Sequence, residues 1–217
     1  MRIKTLISKI KESTEIIQEA VDKYPKITVA CSFGKDSMVV LHLTRRINPL
    51  LPVFTIMTQY KPQETFVYKD MVSQLWGLNI KEYSSLERVP LSLSETDPDE
   101  CCRILKVDPT KRALEGYDAW ITGLRRTEGR TRTDYMPVEE SEEIVKINPI
   151  LDWEEVDIWK YIAINSIPVH SWYIQGYRSL GCAPCTNIVD DKDTERGGRW
   201  KGTSKCGGEC GIHTMFK

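Results

Sequence analysis

The sequence predicts an α/β protein built on a mostly parallel, doubly wound sheet. Three observations carry this. Short apolar runs alternate with longer segments of helical spacing, the pattern of strands joined by crossover helices. Breakers such as Pro25, Pro62 and Gly77 fall between those segments. The loops expected beyond the strand ends, residues 32–37, 58–61 and 123–126, are polar and basic, as where such sheets bind ligands. The chain's 217 residues suffice for one domain of this kind with a sizeable core.

Taken in order, Ile3, Leu6, Ile7, Ile10, Ile17 and Val21 predict an amphipathic helix over 3–22, broken by Pro25. Ile27-Thr-Val-Ala-Cys31 reads as a short buried strand, with Cys31 as a small buried hydrophobe. A glycine-containing loop leads into an apolar helix over about 37–46, and residues 51–58 form a second strand. Pro62 is placed to begin a helix that runs to Trp76, and Gly77 to end it. Residues 78–83 read as a third strand, 99–115 as helical with a kink or break at Pro109, and 119–122 as a fourth strand. Residues 143–147 offer a fifth, and 153–164 a helix capped by Asp152. From Pro168 onward periodicity fades and Gly, Arg, Lys and Cys dominate, so this tail is expected to lie over the active site as a lid without its own core.

Composition excludes some functions. The net charge of -1 gives no global field for nucleic acid or a membrane surface. No run of 18 apolar residues exists, and the N-terminus spaces its apolar residues unlike a signal peptide, so a cytoplasmic protein is expected. Seven cysteines, an odd number in that setting, read as metal-binding or catalytic thiols and not as a disulfide framework.

The cysteines supply the strongest motif. In Gly181-Cys-Ala-Pro-Cys185 the turn points two sulfurs the same way, and Cys101-Cys102 upstream completes a set of four. Four thiolates suit zinc or an iron–sulfur cluster. Adjacent cysteines diverge too much to fit a single tetrahedral ion well, which leans the reading towards a 4Fe–4S cluster. The plainer alternative is a redox C-x-x-C with two buried thiols. Ser32-Phe-Gly-Lys-Asp-Ser37 joins a strand to a helix and offers free N–H groups, a helix dipole and hydroxyl donors to a phosphate. It is not a Walker-type loop, and an ordinary tight turn is the alternative. Arg125, Arg126, Arg196 and Arg199 stand beside glycines as candidates for binding phosphate or sulfate, whereas Arg130 and Arg132 read as solvated surface. Cys210, on the tail near arginines, is a candidate nucleophile with His213 beside it.

Together these motifs resemble the assimilatory sulfonucleotide reductases of the iron–sulfur type, which reduce adenosine 5′-phosphosulfate. The matching residues are Cys101-Cys102 with Lys106, Thr122-Gly123 with Arg125-Arg126, Lys146-Ile-Asn-Pro-Ile150, Gly176 through Thr186, Glu195-Arg-Gly-Gly-Arg-Trp200 and Glu209-Cys-Gly-Ile-His213. The resemblance implies the adenine nucleotide alpha-hydrolase-like (PP-loop) fold, with a nucleotide-binding domain at 1–186 carrying the iron–sulfur site and a C-terminal lid at 187–217 carrying the catalytic cysteine. It implies a 4Fe–4S cluster on Cys101, Cys102, Cys182 and Cys185, acting electrostatically and not by passing electrons, with Lys106 between cluster and substrate. Cys210 would attack the sulfur of the phosphosulfate, release AMP and carry an S-sulfo group until thioredoxin or a glutaredoxin-like donor frees sulfite. Substrate contacts would come from Ser32, Gly34, Lys35, Asp36, Ser37, Thr58, Lys106, Gly123, Arg125, Arg126, Arg196, Arg199 and His213.

Two features depart from the family pattern. The loop is closer to the S-G-G-x-D-S of ATP pyrophosphatases, which keeps an ATP-dependent sulfur-inserting enzyme as an alternative beside a reductase of the 3′-phosphorylated nucleotide. Cys206 stands four residues before Cys210, and the two glycines between them would let it close a disulfide there as a resolving thiol. A metal-stapled binding module is a third reading, and a homo-oligomer is left open.

Overall fold

The structure is a computed structural model. It describes residues 4–129, 132–190, 192–206, 208–209 and 211–214. Helix α1 (Leu6–Lys23) opens where Thr5 Oγ1 accepts the Ser8 amide at 3.2 Å. Strand β1 (Ile27–Ala30) follows Pro25. Helix α2 (Lys35–Ile47) begins two residues earlier than the apolar pattern predicts, so Lys35 and Asp36 form its first turn and Gly34 its N-cap. After β2 (Val53–Ile56), α3 (Gln63–Trp76) starts after Pro62 and ends at Gly77, whose φ of 56° is the left-handed cap that glycine takes without strain. Strand β3 (Ile80–Tyr83) completes this half of the sheet.

The segment before β4 contains α4 (Leu93–Thr96), α5 (Pro98–Cys102), a wide π turn (Arg103–Val107) and α6 (Asp108–Leu114). Pro109 does not break the helix. It lies in the first turn of α6, just after the π turn, where its missing N–H is tolerated. That wide turn carries Lys106. Strands β4 (Ala119–Ile121), β5 (Val138–Glu140) and β6 (Val145–Ile147) precede α7 (Glu155–Ile164) and the short α8 (Ser171–Ile174). The cap of α7 is Glu154, which forms a capping box with Asp157, and not the expected Asp152. Asp152 is instead engaged by Arg126.

Among the described residues the sheet has six strands in the order β3-β2-β1-β4-β6-β5. All pairs are parallel except β5 with β6, where Val138 faces Ile147. Strand β5 is invisible to pattern reading because Val138, Glu139 and Glu140 form an acidic, partly exposed edge. One face of the sheet holds the main core, in which Ile17, Val29, Val39, Val40, Ile121 and Ile158 are completely buried. The other face packs Phe54 and Trp120 against Ala113 and Leu114 of α6. The winding runs outward from β1 through β2 to β3, then resumes on its other side at β4. Chain direction therefore diverges between β1 and β4, and a crevice opens at their carboxyl ends.

Candidate active site

A cavity of about 190 Å³ occupies that crevice. Its apolar wall comes from Ala30, Phe54, Ile56 and Trp120, all on or beside the central strands. The loop after β1 supplies Ser32, Gly34 and Ser37. Ser37 Oγ donates to the Gly34 carbonyl at 2.9 Å and accepts the Ser32 amide at 3.2 Å, which folds the loop onto the first turn of α2. Phe33 sits at a φ of 63°, where a side chain is strained by about 1–2 kcal/mol. Its buried ring packs edge-on against Tyr68 and holds it there. At Gly123 an added Cβ would lie 2.8 Å from the Ser37 amide nitrogen, so the loop after β4 can approach α2 only as glycine.

Ser32, Gly34, Asp36, Ser37, Lys106, Gly123, Arg196, Arg199 and His213 all line this cavity. Lys35, Thr58, Arg125 and Arg126 do not. The Lys35 ammonium turns inward to the Arg178 carbonyl (2.6 Å) and Glu195 (2.9 Å). Arg125 is fully buried and bridges Asp36 and Glu195, at 2.5 Å each. Lys35 and Arg125 thus act as struts that tie the tail to the loop. Arg126 points away, to Asp152 and to the Tyr135 carbonyl. Thr58 is buried with its hydroxyl 3.2 Å from Cys182 Sγ, and from the same loop Lys61 reaches the cavity instead.

Arg132, expected on the surface, is buried and lines the cavity. Its Nε and Nη2 grip Glu209 at 2.6 and 2.9 Å, and its Nη1 meets Glu128 at 2.5 Å. The only sequence signal for this was the acidic partner four residues earlier. Arg196 donates to the Gly208 carbonyl at 2.8 Å. Burial opposes ionisation of Glu209, but its bond to Arg132 and the charge of Arg196 outweigh it and hold the carboxyl at about 2. Burial, reinforced by Arg132, pushes His213 down to about 3, so its ring is neutral; it stacks on Trp120. Burial pushes Lys61 down to about 8, with Cys182 opposing and Lys106 and Arg199 reinforcing.

The cysteines expected to bind metal gather behind Lys106. Cys101 and Cys102 end α5, and Cys185 lies in the short turn Ala183–Cys185. All four of Cys101, Cys102, Cys182 and Cys185 are buried. Burial, and then the like charges of Cys102, Cys182 and Cys185, raise the Cys101 thiol to about 11. Burial also opposes the Cys182 thiolate, yet Lys106, the Thr58 hydroxyl, Lys61 and Arg199 hold its thiol below the ordinary value. Trp200 packs on Cys102, Cys182 and Cys185, and its buried Nε1–H finds no hydrogen-bond partner among the described residues. Around its ring stand Arg199, Lys205, Lys106 and Arg196, at 4.4, 5.4, 5.6 and 5.7 Å from the centroid. Four thiols, an orphaned N–H donor and surrounding cations fit an anionic sulfur-rich group. Among the described residues no three cysteine, histidine or carboxylate side chains are grouped to hold one metal ion. Cys31 is a buried thiol raised to about 11 by burial, and Cys206 is exposed. Cys210 lies outside the described residues, as do Arg130 and Gly207.

The profile of the phosphoadenosine phosphosulfate reductase domain matches residues 26–188. An adenosine 5′-phosphosulfate reductase of Oceanobacillus iheyensis is 36% identical over 213 residues, covering 93% of this chain and 88% of the relative. One from Rhodococcus erythropolis is 39% identical over 184 residues, covering 81% and 74%. Among solved structures, phosphoadenylyl-sulfate reductase from Candida auris, in a phosphate complex, superposes with a TM-score of 0.71 at 22% identity, covering 86% of this chain and 99% of that one. The FMN adenylyltransferase of Candida glabrata gives 0.67 at 16% identity, covering 89% and 72%. These structural likenesses bear on the fold, which is of the PP-loop type. The profile and the sequence relatives together span nearly the whole chain, and on them the chain belongs to the phosphoadenosine phosphosulfate reductase family, as a relative of the adenosine 5′-phosphosulfate reductases.

Proposed function

We propose that the protein reduces adenosine 5′-phosphosulfate to sulfite and AMP, with Cys210 as nucleophile. The observation that carries this reading is the make-up of one cavity. Loop hydroxyls and the start of α2 line it together with Lys106, Arg132, Arg196 and Arg199, and Lys106 also acts on the Cys182 thiol. A nucleotide bearing two linked anionic groups matches that combination of donors and cations.

In the first step the Cys210 thiolate attacks the sulfur of the phosphosulfate. The bond from sulfur to the bridging oxygen breaks, its electron pair leaves on the AMP phosphate, and the sulfo group remains on Cys210 Sγ. Ser32, Gly34 and Ser37 hold the phosphate, while Arg196 and Arg199 offset the charge of the sulfo oxygens. Neutral His213 is available as a hydrogen-bond partner and leaves the cationic field to the arginines. In the second step a thiolate of a thioredoxin-like or glutaredoxin-like dithiol attacks Cys210 Sγ and expels sulfite. The donor's second thiol then releases Cys210 and closes the donor disulfide, so two thiols supply the two electrons. Cys101, Cys102, Cys182 and Cys185 would hold a 4Fe–4S cluster, which when bound supplies an electrostatic counterpart to Lys106 and fastens residues 101 and 185 together.

Residues 187–217 then serve as the lid that carries Cys210 and that adds Arg196, Arg199 and His213 to a site otherwise built by 1–186. A cytoplasmic location suits a reaction that depends on free thiols; no helix among the described residues is long and apolar enough to cross a membrane. The test is sulfite release from adenosine 5′-phosphosulfate, its 3′-phosphorylated form and ATP side by side. Sulfite from the first, with an S-sulfo group on Cys210 after one turnover without reductant, is expected. Cleavage of ATP to AMP and pyrophosphate without sulfite formation from either sulfonucleotide would overturn the reading.

A further inference from the structure

The loop after β2 divides its side chains between two neighbours. Thr58 and Tyr60 face the cysteines: Thr58 Oγ1 lies 3.2 Å from Cys182 Sγ, and the Tyr60 carbonyl accepts the Ala183 amide at 2.8 Å. The Lys61 amide donates to the Thr58 carbonyl at 3.1 Å, a turn that sends the Lys61 side chain the other way, into the cavity. Its Nζ stands 3.5 Å from the Ser32 carbonyl, where the phosphate loop begins.

The charges around Lys61 set it apart from four of the other cations here. Lys35, Arg125, Arg132 and Arg196 each meet a carboxylate within ion-pair distance. Among the described residues none pairs with Lys61. Its neighbours are the cations Lys106 and Arg199, the neutral Cys31 thiol, and the Cys182 thiol, whose ionised form Lys61 shares with Lys106 and Arg199. A half-buried ammonium facing two other cations is costly until an anion joins it. Open cavity at the Ser32 end gives that anion a place.

We infer that Lys61 binds the 5′-phosphoryl group of the nucleotide, a role that rests on the reductase reading above. The lysine reaches the phosphoryl from the β2 side while the loop hydroxyls hold it from the β1 side. As the sulfur–oxygen bond breaks, negative charge grows on that phosphoryl, so the ammonium also favours departure of AMP.

The test compares Lys61→Met and Lys61→Arg with the wild type, all as iron-loaded protein. AMP and adenosine affinities come from competition against adenosine 5′-phosphosulfate, alongside KM and kcat. Expected for Lys61→Met is AMP binding weakened by about tenfold or more, since a charge-assisted hydrogen bond is worth about 1.5–3 kcal/mol. KM should rise alongside, with adenosine affinity, iron content and visible absorption unchanged. Lys61→Arg should restore AMP binding to within about threefold, since the charge is kept. Equal losses for AMP and adenosine would overturn the inference, as would altered iron content or absorption with AMP affinity intact, which would assign the lysine to the cysteines. A wild type that neither binds AMP nor releases sulfite would bring down the reductase reading itself, and the inference with it.

Discussion

The sheet and the segment beyond Pro168 are held by different forces. In the sheet, Val29, Val39, Val40, Ile121 and Ile158 lose all exposure, and apolar burial holds strands to helices without regard to direction or pH. Among the described residues of the tail most buried groups are polar, namely His170, Ser179, Thr186, Glu195, Arg196 and Arg199, beside Trp172, Cys182, Cys185 and Trp200. Among its attachments are Lys35 and Arg125 to Glu195, Arg132 to Glu209, Arg178 to Glu155, His170 to Thr65, and the cysteines. Charge pairs are directional and can be exchanged for other anions. That suits a segment whose Cys210 must meet a substrate and then an external thiol.

The comparison breaks most completely at the cysteines. Cys102→Ser is expected to lose iron and nearly all sulfite release, and to loosen the joint between α5 and residues 182–185. Iron analysis with the sulfite assay checks this, and a fully active, iron-free variant would leave the cysteines with only a packing role.

Next in size is Arg132→Met. It leaves the Glu209 carboxylate buried without its main partner, which costs about 3–5 kcal/mol for a broken buried pair. Loss should appear as rapid hydrogen exchange over residues 195–214, with the sheet still protected. Val40→Ala should do the reverse, lowering the stability of the whole sheet by about 1–3 kcal/mol through lost burial and a cavity. Equal effects of the two variants on both regions would mean that sheet and tail unfold as one unit.

A third effect follows from pH. His213 is lowered to about 3, so the unfolded tail binds a proton that the docked tail refuses. Docking is therefore strongest above the ordinary histidine value of about 6.5 and weakens as pH falls through the window below it. Glu209, held at about 2, contributes docking that is full above the ordinary carboxyl range and is lost as pH falls towards 2. Tail exchange, corrected for intrinsic rates, should thus rise below about pH 6.5 and rise again below about pH 4.5. In His213→Asn the first rise should shrink to the part left by His170, which burial lowers to about 4, while the second rise stays.

These forces also decide what a sequence can reveal. The parallel strands and their helices were legible because apolar periodicity reports burial directly; the acidic edge strand β5 and the one-turn helices α4 and α8 escaped. The cysteines and the loop at 32–37 were legible because their chemistry is local. Charge pairing over long separations was not. Arg125 and Asp36 are 89 residues apart, and Arg132 and Glu209 are 77 apart, so apart from Glu128 four residues before Arg132 nothing nearby marks either arginine as buried. Arg132 and Arg126 consequently exchange the places that spacing predicts for them. Lys61 lies in the loop 58–61 expected to line the site, but only the turn of that loop decides that Lys61 and not Thr58 faces the cavity.

The smallest expected effects separate two arginines. Arg196 lines the cavity, is buried, and stands over the Trp200 ring at 5.7 Å from its centroid. Its guanidinium also donates to the Gly208 carbonyl. Arg196→Lys keeps the charge and loses the planar fork, so about 1–3 kcal/mol of transition-state binding should go, read as a drop in kcat/KM. Arg126 has the same local sequence credentials, a basic residue beside glycines after a strand. Its guanidinium pairs with Asp152, which is half exposed, and reaches the Tyr135 carbonyl outside the cavity. An ion pair so placed is worth about 0–1 kcal/mol. Arg126→Ala should therefore leave kcat/KM within about twofold and stability within that same margin. A loss in kcat/KM as large as that of Arg196→Lys would show that Arg126 swings into the cavity when substrate is bound.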